Sequence, residues 1–309
     1  MQHLAKLMFY LLTLLLALQD QPTFRTDVTL VRVDAEVLQD DRIVDGLAKE
    51  SFSVTDAGKP QRILYFGHQD EPLDVVLLFD VSAETRLAIQ RVAEAAHVVL
   101  RGLREGDRLA VMASGHTPEN CKARLVADLS GDLGAAERRI TAEIIQQTSE
   151  SSPCQLLSGI RGAAQQFLGQ PRANRRRAIV VVTDDQGAGT APRLVHDTVH
   201  NLWKADVVVL GVIVHSGNTT VSLGPPHRGA RYTAEMTGGD TLNSDDAVEG
   251  LREIIRRLRL RYSFEYAMPQ GTPGEERKIQ VKLVPPTAKR YPRAQLRARR
   301  GYIVPNPAP

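Results

Sequence analysis

The sequence predicts an α/β fold: a doubly wound, mostly parallel sheet inserted between the N- and C-terminal segments of a small β module. Three observations carry this. Between residues 71 and 261, short and mostly apolar runs alternate with helical patterns, as in LDVVLLF (73–79), AIVVV (178–182) and VVVLGVIV (207–214). Strands buried on both faces of a parallel sheet read this way. Before and after that stretch the hydrophobic period falls to two, the pattern of half-buried strands. Each flank alone is too small to fold, so one β module built from both ends of the chain is the economical arrangement.

Residues 1–20 stand apart. Lys6 precedes the apolar run LMFYLLTLLLAL (7–18), and Gln19-Asp20-Gln21-Pro22 forms a polar exit. The run is too short to span a bilayer as an ordinary helix. It reads as a secretory signal peptide, with an uncleaved N-terminal anchor as the alternative. Either way the remainder is expected to work outside the cytoplasm, periplasmic or secreted. Membrane contact is expected only if the segment stays uncleaved.

In the N-terminal β segment (21–70), Val31, Val33, Ala35 and Val37 alternate with Arg32, Asp34 and Glu36, which predicts a half-buried strand. Val28 and Leu30 precede it in the opposite phase, which predicts a bulge. Asp40-Asp41 signals a turn, and strands fit 51–54 and 62–66 around the turn Ala57-Gly58-Lys59-Pro60. No helix is expected there.

The inserted α/β region (71–261) opens with the strand at 73–79. A helix follows at 85–103 with Ala88, Val92, Ala95, Val99 and Leu103 inward. Strands fit 108–113 and 124–127, and helices fit 133–147 and 155–168. The strand at 178–182, a helix at 192–204 and the strand at 207–214 come next. A last helix at 245–260 has Val248, Leu251, Ile255 and Leu258 as its apolar stripe, with Asp245 and Asp246 at its positive end. The C-terminal β segment (262–309) contributes strands at 262–267, 278–284 and 295–299, pairing with residues 21–70.

Composition narrows the function. Lys+Arg number 39 against 36 Asp+Glu, too balanced for a nucleic-acid binder. Aromatics at 5% argue against a base- or sugar-stacking surface. Cys121 and Cys154 are the only cysteines, which excludes a disulfide-stapled scaffold and any four-cysteine zinc module. The run Arg172, Arg175, Arg176 and Arg177 reads as a solvated loop at the bottom of the sheet. His196 and His200, four apart on one helix face, have the spacing of a zinc hydrolase helix. Asp197 stands where that chemistry needs Glu, and the sequence shows no third ligand, so a solvated face is the reading. Gly187-Ala188-Gly189 lacks the rest of a dinucleotide fingerprint. Asn218-Thr219-Thr220 is a sequon.

Ligands in open α/β sheets bind beyond the carboxyl ends of the strands. Here those ends read Asp80-Val81-Ser82-Ala83-Glu84-Thr85 and Thr183-Asp184-Asp185. The two resemble the metal-ion-dependent adhesion site of the von Willebrand factor type A domain, with Asp-x-Ser-x-Ser after the first strand, a loop threonine, and an Asp after the fourth. The flanks FRTDVTLVRVDAEV, DGLAKESFSVTDAGKPQRILYF and RKIQVKLV…LRARRGYIV resemble exported bacterial proteins of that family. The resemblance implies a degenerate site. Asp80, Ser82 and Asp184 match ligand positions, Glu84 replaces the second serine, and Cys154 stands at the loop threonine. Such a site would hold Mg²⁺ through oxygen ligands, to which a cysteine is poorly suited. Asp80 and Ser82 as caps of the strand-to-helix turn are the plainer alternative. The resemblance implies that Cys121 and Cys154 would lie on loops near one face, where export would let them form a disulfide.

The resemblance implies a non-enzymatic protein-binding or adhesion module with an unknown protein partner. A metal-free structural or assembly protein of the envelope is the alternative, and an exported metal-dependent hydrolase using His196 and His200 is the outsider.

Overall fold

The computed structural model describes residues 29–81, 85–114, 123–144, 156–170, 174–185, 191–214 and 229–306. The proposed signal peptide, Ser82, Glu84, Cys121, Cys154 and the Asn218 sequon lie outside the described residues.

The N-terminal strands are β1 (Leu30–Gln39), β2 (Arg42–Ile43), β3 (Phe52–Asp56), β4 (Lys59–Gln61) and β5 (Tyr65–Gly67). The α/β region follows as β6 (Leu73–Asp80), α1 (Arg86–Glu94), α2 (Ala96–Leu100), β7 (Arg108–Ser114), β8 (Arg124–Ser130) and α3 (Leu133–Arg139). It continues with α4 (Leu156–Gln165), β9 (Arg176–Thr183), α5 (Pro192–Ala205) and β10 (Val208–Val214). It closes with α6 (Ala230–Thr237), β11 (Thr241–Ser244) and α7 (Ala247–Arg259). The tail adds β12 (Tyr262–Ala267), β13 (Glu276–Leu283), α8 (Thr287–Arg290), β14 (Gln295–Ala298) and β15 (Gly301–Ile303).

The central sheet has the order β11-β10-β9-β6-β7-β8. All its pairs are parallel except β7 with β8. Alternation within β6 explains the double winding. Leu73, Val75, Leu77 and Phe79 pack with residues of α1, α2, α3 and α7. Val76 and Leu78 pack on the other face with residues of α4, α5 and α6. Side chains alternate across a strand, so an uninterrupted apolar run feeds two cores at once. The fold class is the one the sequence predicts.

Local details differ. The helix expected at 85–103 breaks at Ala95 (φ −99°, ψ 17°). The Thr141 hydroxyl lies 3.4 Å from the Ala93 carbonyl at that point, and a side chain entering the backbone ladder is a known cause of a break. The helix expected at 133–147 widens into a π turn over Ile140–Ile144, which buries both isoleucines. Asp246 caps α7, accepting from the amides of Val248 (2.9 Å) and Glu249 (3.3 Å). α6 and β11 were not anticipated, nor were the short helical turns at Lys49–Ser51 and Thr287–Arg290. Among the described residues β1 shows no bulge, its register with β12 being unbroken from Leu30 to Ala35 with Leu30 exposed; Val28 lies outside them.

The two ends of the chain make two sheets, β14-β1-β12-β5 (with β2 on β1) and β15-β13-β3-β4. Val31, Val33, Ala35 and Val37 join Tyr262, Phe264 and Tyr266 against Phe52, Val54, Ile279 and Val281. Asp56 is fully buried in this module. It accepts from the phenols of Tyr266 and Tyr302, both at 2.9 Å, and from Arg277 Nε at 2.8 Å.

The polar face of β1 is not solvated. Arg32 and Glu36 are buried, so β1 is buried on both faces and the half-buried reading is corrected. That face meets the lower end of the central sheet in a seam of charges. Arg176, the first residue of β9, is fully buried. It donates to the carbonyls of Leu258 (2.7 Å) and Arg261 (2.8 Å), to Ser263 Oγ (2.9 Å) and to Glu71 Oε2 (3.1 Å). Ser263 in turn donates to Glu71 at 2.7 Å and accepts from Arg32 at 2.8 Å. Arg175 and Arg108 clamp Asp74, with Nε atoms at 2.5 and 2.8 Å from its Oδ1. Arg259 donates to Asp107, whose carboxylate also accepts from the Leu73 amide at 2.7 Å. Arg175–Arg177 therefore do lie at the bottom of the sheet, but in the seam and not in a solvated loop; Arg172 lies outside the described residues. Arg176 faces Asp34 of β1 and Glu71 just before β6, and Arg175 faces Asp74 within β6.

Candidate metal-binding site

β6 and β9 are adjacent and parallel, with Phe79 opposite Val182. Asp80 and Thr183 therefore arrive at the same end of the sheet, and Asp184 follows one residue later. Asp80 is buried and ends its strand beside Ser114, the last residue of β7. Thr183 Oγ1 donates to Asp80 Oδ2 at 2.5 Å and accepts from the Asp185 amide at 2.8 Å. Thr85 Oγ1 donates to the Asp80 carbonyl at 2.5 Å, tightening the turn into α1. The Val81 amide donates to the Ser114 carbonyl at 2.8 Å.

The two aspartates after β9 have separate tasks. Asp185 sits in the left-handed region at φ 57°. Its Oδ1 accepts from the Ala230 amide at 2.7 Å, at the start of α6, and its Oδ2 lies 3.3 Å from Arg231 Nε. It holds the N-terminus of α6, where a carboxylate is favoured by unsatisfied amides and the helix dipole. Asp184, between Thr183 and Asp185, is buried.

These groups fit a hard divalent cation. Asp80, Thr183 and Asp184 offer oxygen only, the donor set that suits Mg²⁺. Ser114 Oγ adds another oxygen, buried and without a hydrogen-bond partner among the described residues. Gly159 of α4 packs tightly there, since a Cβ on it would stand 2.7 Å from Ser114 Cβ. Thr183 and Ser114 were not singled out from sequence as site residues. The available signal was their position as the polar residue ending an apolar strand. Ser82 and Glu84, the other predicted ligands, and the cysteine pair lie outside the described residues.

His196 and His200 lie on α5, with ring centroids 3.9 Å apart. The third ligand absent from the local sequence comes from the β module. His196 Nε2 is 3.6 Å from Glu276 Oε1, and His200 Nε2 contacts the same oxygen.

Residues 73–214 match the family model described as the von Willebrand factor type A domain. These residues form a von Willebrand factor type A domain. Such domains serve generally as protein-interaction and adhesion modules. Solved structures similar to the chain include BatB from Bacteroides thetaiotaomicron (17% identity, TM-score 0.41, 60% of this chain and 98% of that one). A von Willebrand factor type A protein from Catenulispora acidiphila is 12% identical, with TM-score 0.48 over 89% of this chain and 74% of that one. Proximal thread matrix protein 1 from the mussel byssus, in a form with a zinc-occupied MIDAS motif, is 15% identical, with TM-score 0.46 over 62% of this chain and 48% of that one. No curated protein matches the chain. Among the described residues no helix is long and apolar enough to cross a membrane.

Proposed function

We propose that this chain is an exported, non-enzymatic adhesion module that binds a protein partner at the Asp80–Thr183–Asp184 end of its central sheet. The observation that carries the reading is the hydrogen-bonded pair Asp80–Thr183, with Asp184 one residue on, at the carboxyl ends of adjacent strands. Asp80 and Asp184 would hold the cation, and Thr183 orients the Asp80 carboxylate. A bound Mg²⁺ would supply a Lewis-acidic point of attachment for an oxygen of the partner. In the family resemblance Glu84 takes the place of a second serine, a carboxylate for a hydroxyl; as a ligand it would lower the ion's demand for an acidic partner and favour a neutral oxygen donor. Export rests on the apolar run at 7–18 with its polar exit.

The buried charged seam favours a second reading, a metal-free envelope assembly component, because it joins the β module to the domain through buried ion pairs that need no metal. A pull-down from envelope extract separates the two. In the first reading, capture by the wild type in Mg²⁺ is lost in EDTA and in Asp80→Ala. Capture that is indifferent to both supports the second.

A further inference from the structure

We propose that His196, His200 and Glu276 form a binding site for Zn²⁺, or another imidazole-seeking divalent ion of the first transition row, that clamps the von Willebrand factor type A domain to the β module. The site is independent of the acidic site at Asp80.

Three ligand atoms from two parts of the fold converge. The two imidazoles lie one turn apart on α5, and Glu276 opens β13 in the β module. One ligand atom from each residue lies within 4.8 Å of the other two. Ligands about 2.0–2.1 Å from a tetrahedral ion stand roughly 3.3 Å apart, close to the 3.6 Å between His196 Nε2 and Glu276 Oε1. Two imidazoles and a carboxylate form a three-ligand zinc set that leaves a fourth position for water.

The surroundings support a bound ion over a simple ion pair. A hydrogen bond to Glu276 accounts for one histidine, yet both Nε2 atoms face the same carboxylate oxygen. Asp197 Oδ1 lies 3.5 Å from His196 Nδ1. A carboxylate on the far ring nitrogen fixes the tautomer that presents Nε2 to a metal. Asp197 stands where a zinc hydrolase helix would carry its glutamate, and here it is placed to serve as this orienting group once the His196 ring is held by a metal. The His200 ring is centred 6.3 Å from that of Trp203. Trp203 and Val199 pack with Ile303 of β15 in a small apolar seam between α5 and the β module. Metal bound by both sides would close the outer edge of that seam.

Titration calorimetry of the full chain with ZnCl₂, in a buffer that does not chelate, tests this. The expected result is one Zn²⁺ per chain. Affinity should fall by at least about 100-fold in His200→Ala and in Glu276→Gln, the upper end of what losing only an outer-shell partner costs. It should be unchanged in Asp80→Ala. His196 and Glu276 are exposed, so His196→Ala and Glu276→Gln should retain the wild-type far-UV spectrum without metal. Zn²⁺ at 100 times Kd should raise the wild-type Tm by about 5 °C and leave that of Glu276→Gln unmoved. Equal Zn²⁺ binding by all variants, loss only in Asp80→Ala, or no saturable binding by the wild type would overturn the proposal.

Discussion

Replacing Arg176 by Met should destabilise the chain by about 3 kcal/mol. The arginine is fully buried, and its guanidinium satisfies the carbonyls of Leu258 and Arg261, Ser263 Oγ and Glu71. Burial works against its charge, drawing its pKa below the ordinary arginine value despite Asp34 and Glu71. The pair is therefore no large source of net stability, but removing one partner is costly. Breaking a buried ion pair from one side costs about 3–5 kcal/mol. Arg32 still faces Glu71 in the variant, which places the loss at the lower end. With about 2–4 °C per kcal/mol in domains of this size, Tm should fall by about 6–12 °C. Urea denaturation and calorimetry give the value. Arg176→Lys should recover little, since an ammonium cannot fork between the carbonyls and Glu71. Adding Glu71→Gln to Arg176→Met should restore part of the loss, because one anion then goes with the lost cation while Arg32 keeps Asp34 and Glu265 as partners. A fall below about 1 kcal/mol for Arg176→Met, or strict additivity of the two changes, would refute the seam as described.

Two further outcomes follow from buried titratable groups. Burial alone would raise the Asp74 pKa, but the hydrogen bonds from Arg108 and Arg175 outweigh it and hold the carboxyl below its usual range. Its contribution is therefore present above the ordinary carboxylate pKa and lost as pH falls through the lower folded value. Asp74→Asn should cost about 2 kcal/mol at pH 7, and the gap to wild type should narrow as pH falls below the ordinary carboxylate range, as read by urea unfolding. Burial raises the phenol of Tyr262 to about 12 and raises those of Tyr266 and Tyr302 as well, the latter two also facing Asp56. Ultraviolet titration at pH 11 should find these three un-ionised in the native chain and ionised in urea.

The parts of the fold that were legible are those with a local signal. LDVVLLFD, RRAIVVVT and VVLGVIV are strands whose burial on both faces is written in their composition. The strand ends were legible for the same reason, Asp80 and Thr183 being the polar residues that stop the apolar runs, while Asp184 was singled out by the family resemblance. β11, with the sequence TLNS, is a short polar edge strand and gives no period to read. The seam was illegible because its complementarity is not local. Arg32, Asp34 and Glu36 look like a solvent face, and Arg175–Arg177 look like a surface charge run. Only the fold brings Arg176 against Glu71 and Ser263. Glu276 was missed likewise, since nothing near it in sequence points to the histidines of α5.

Magnesium titration calorimetry on wild type and Asp80→Ala, with His200→Ala as a control, tests the adhesion-site account most directly. The account predicts one Mg²⁺ site in the wild type and in His200→Ala, and none in Asp80→Ala. A wild type without saturable Mg²⁺ binding, or an Asp80→Ala chain that binds as the wild type does, would contradict it.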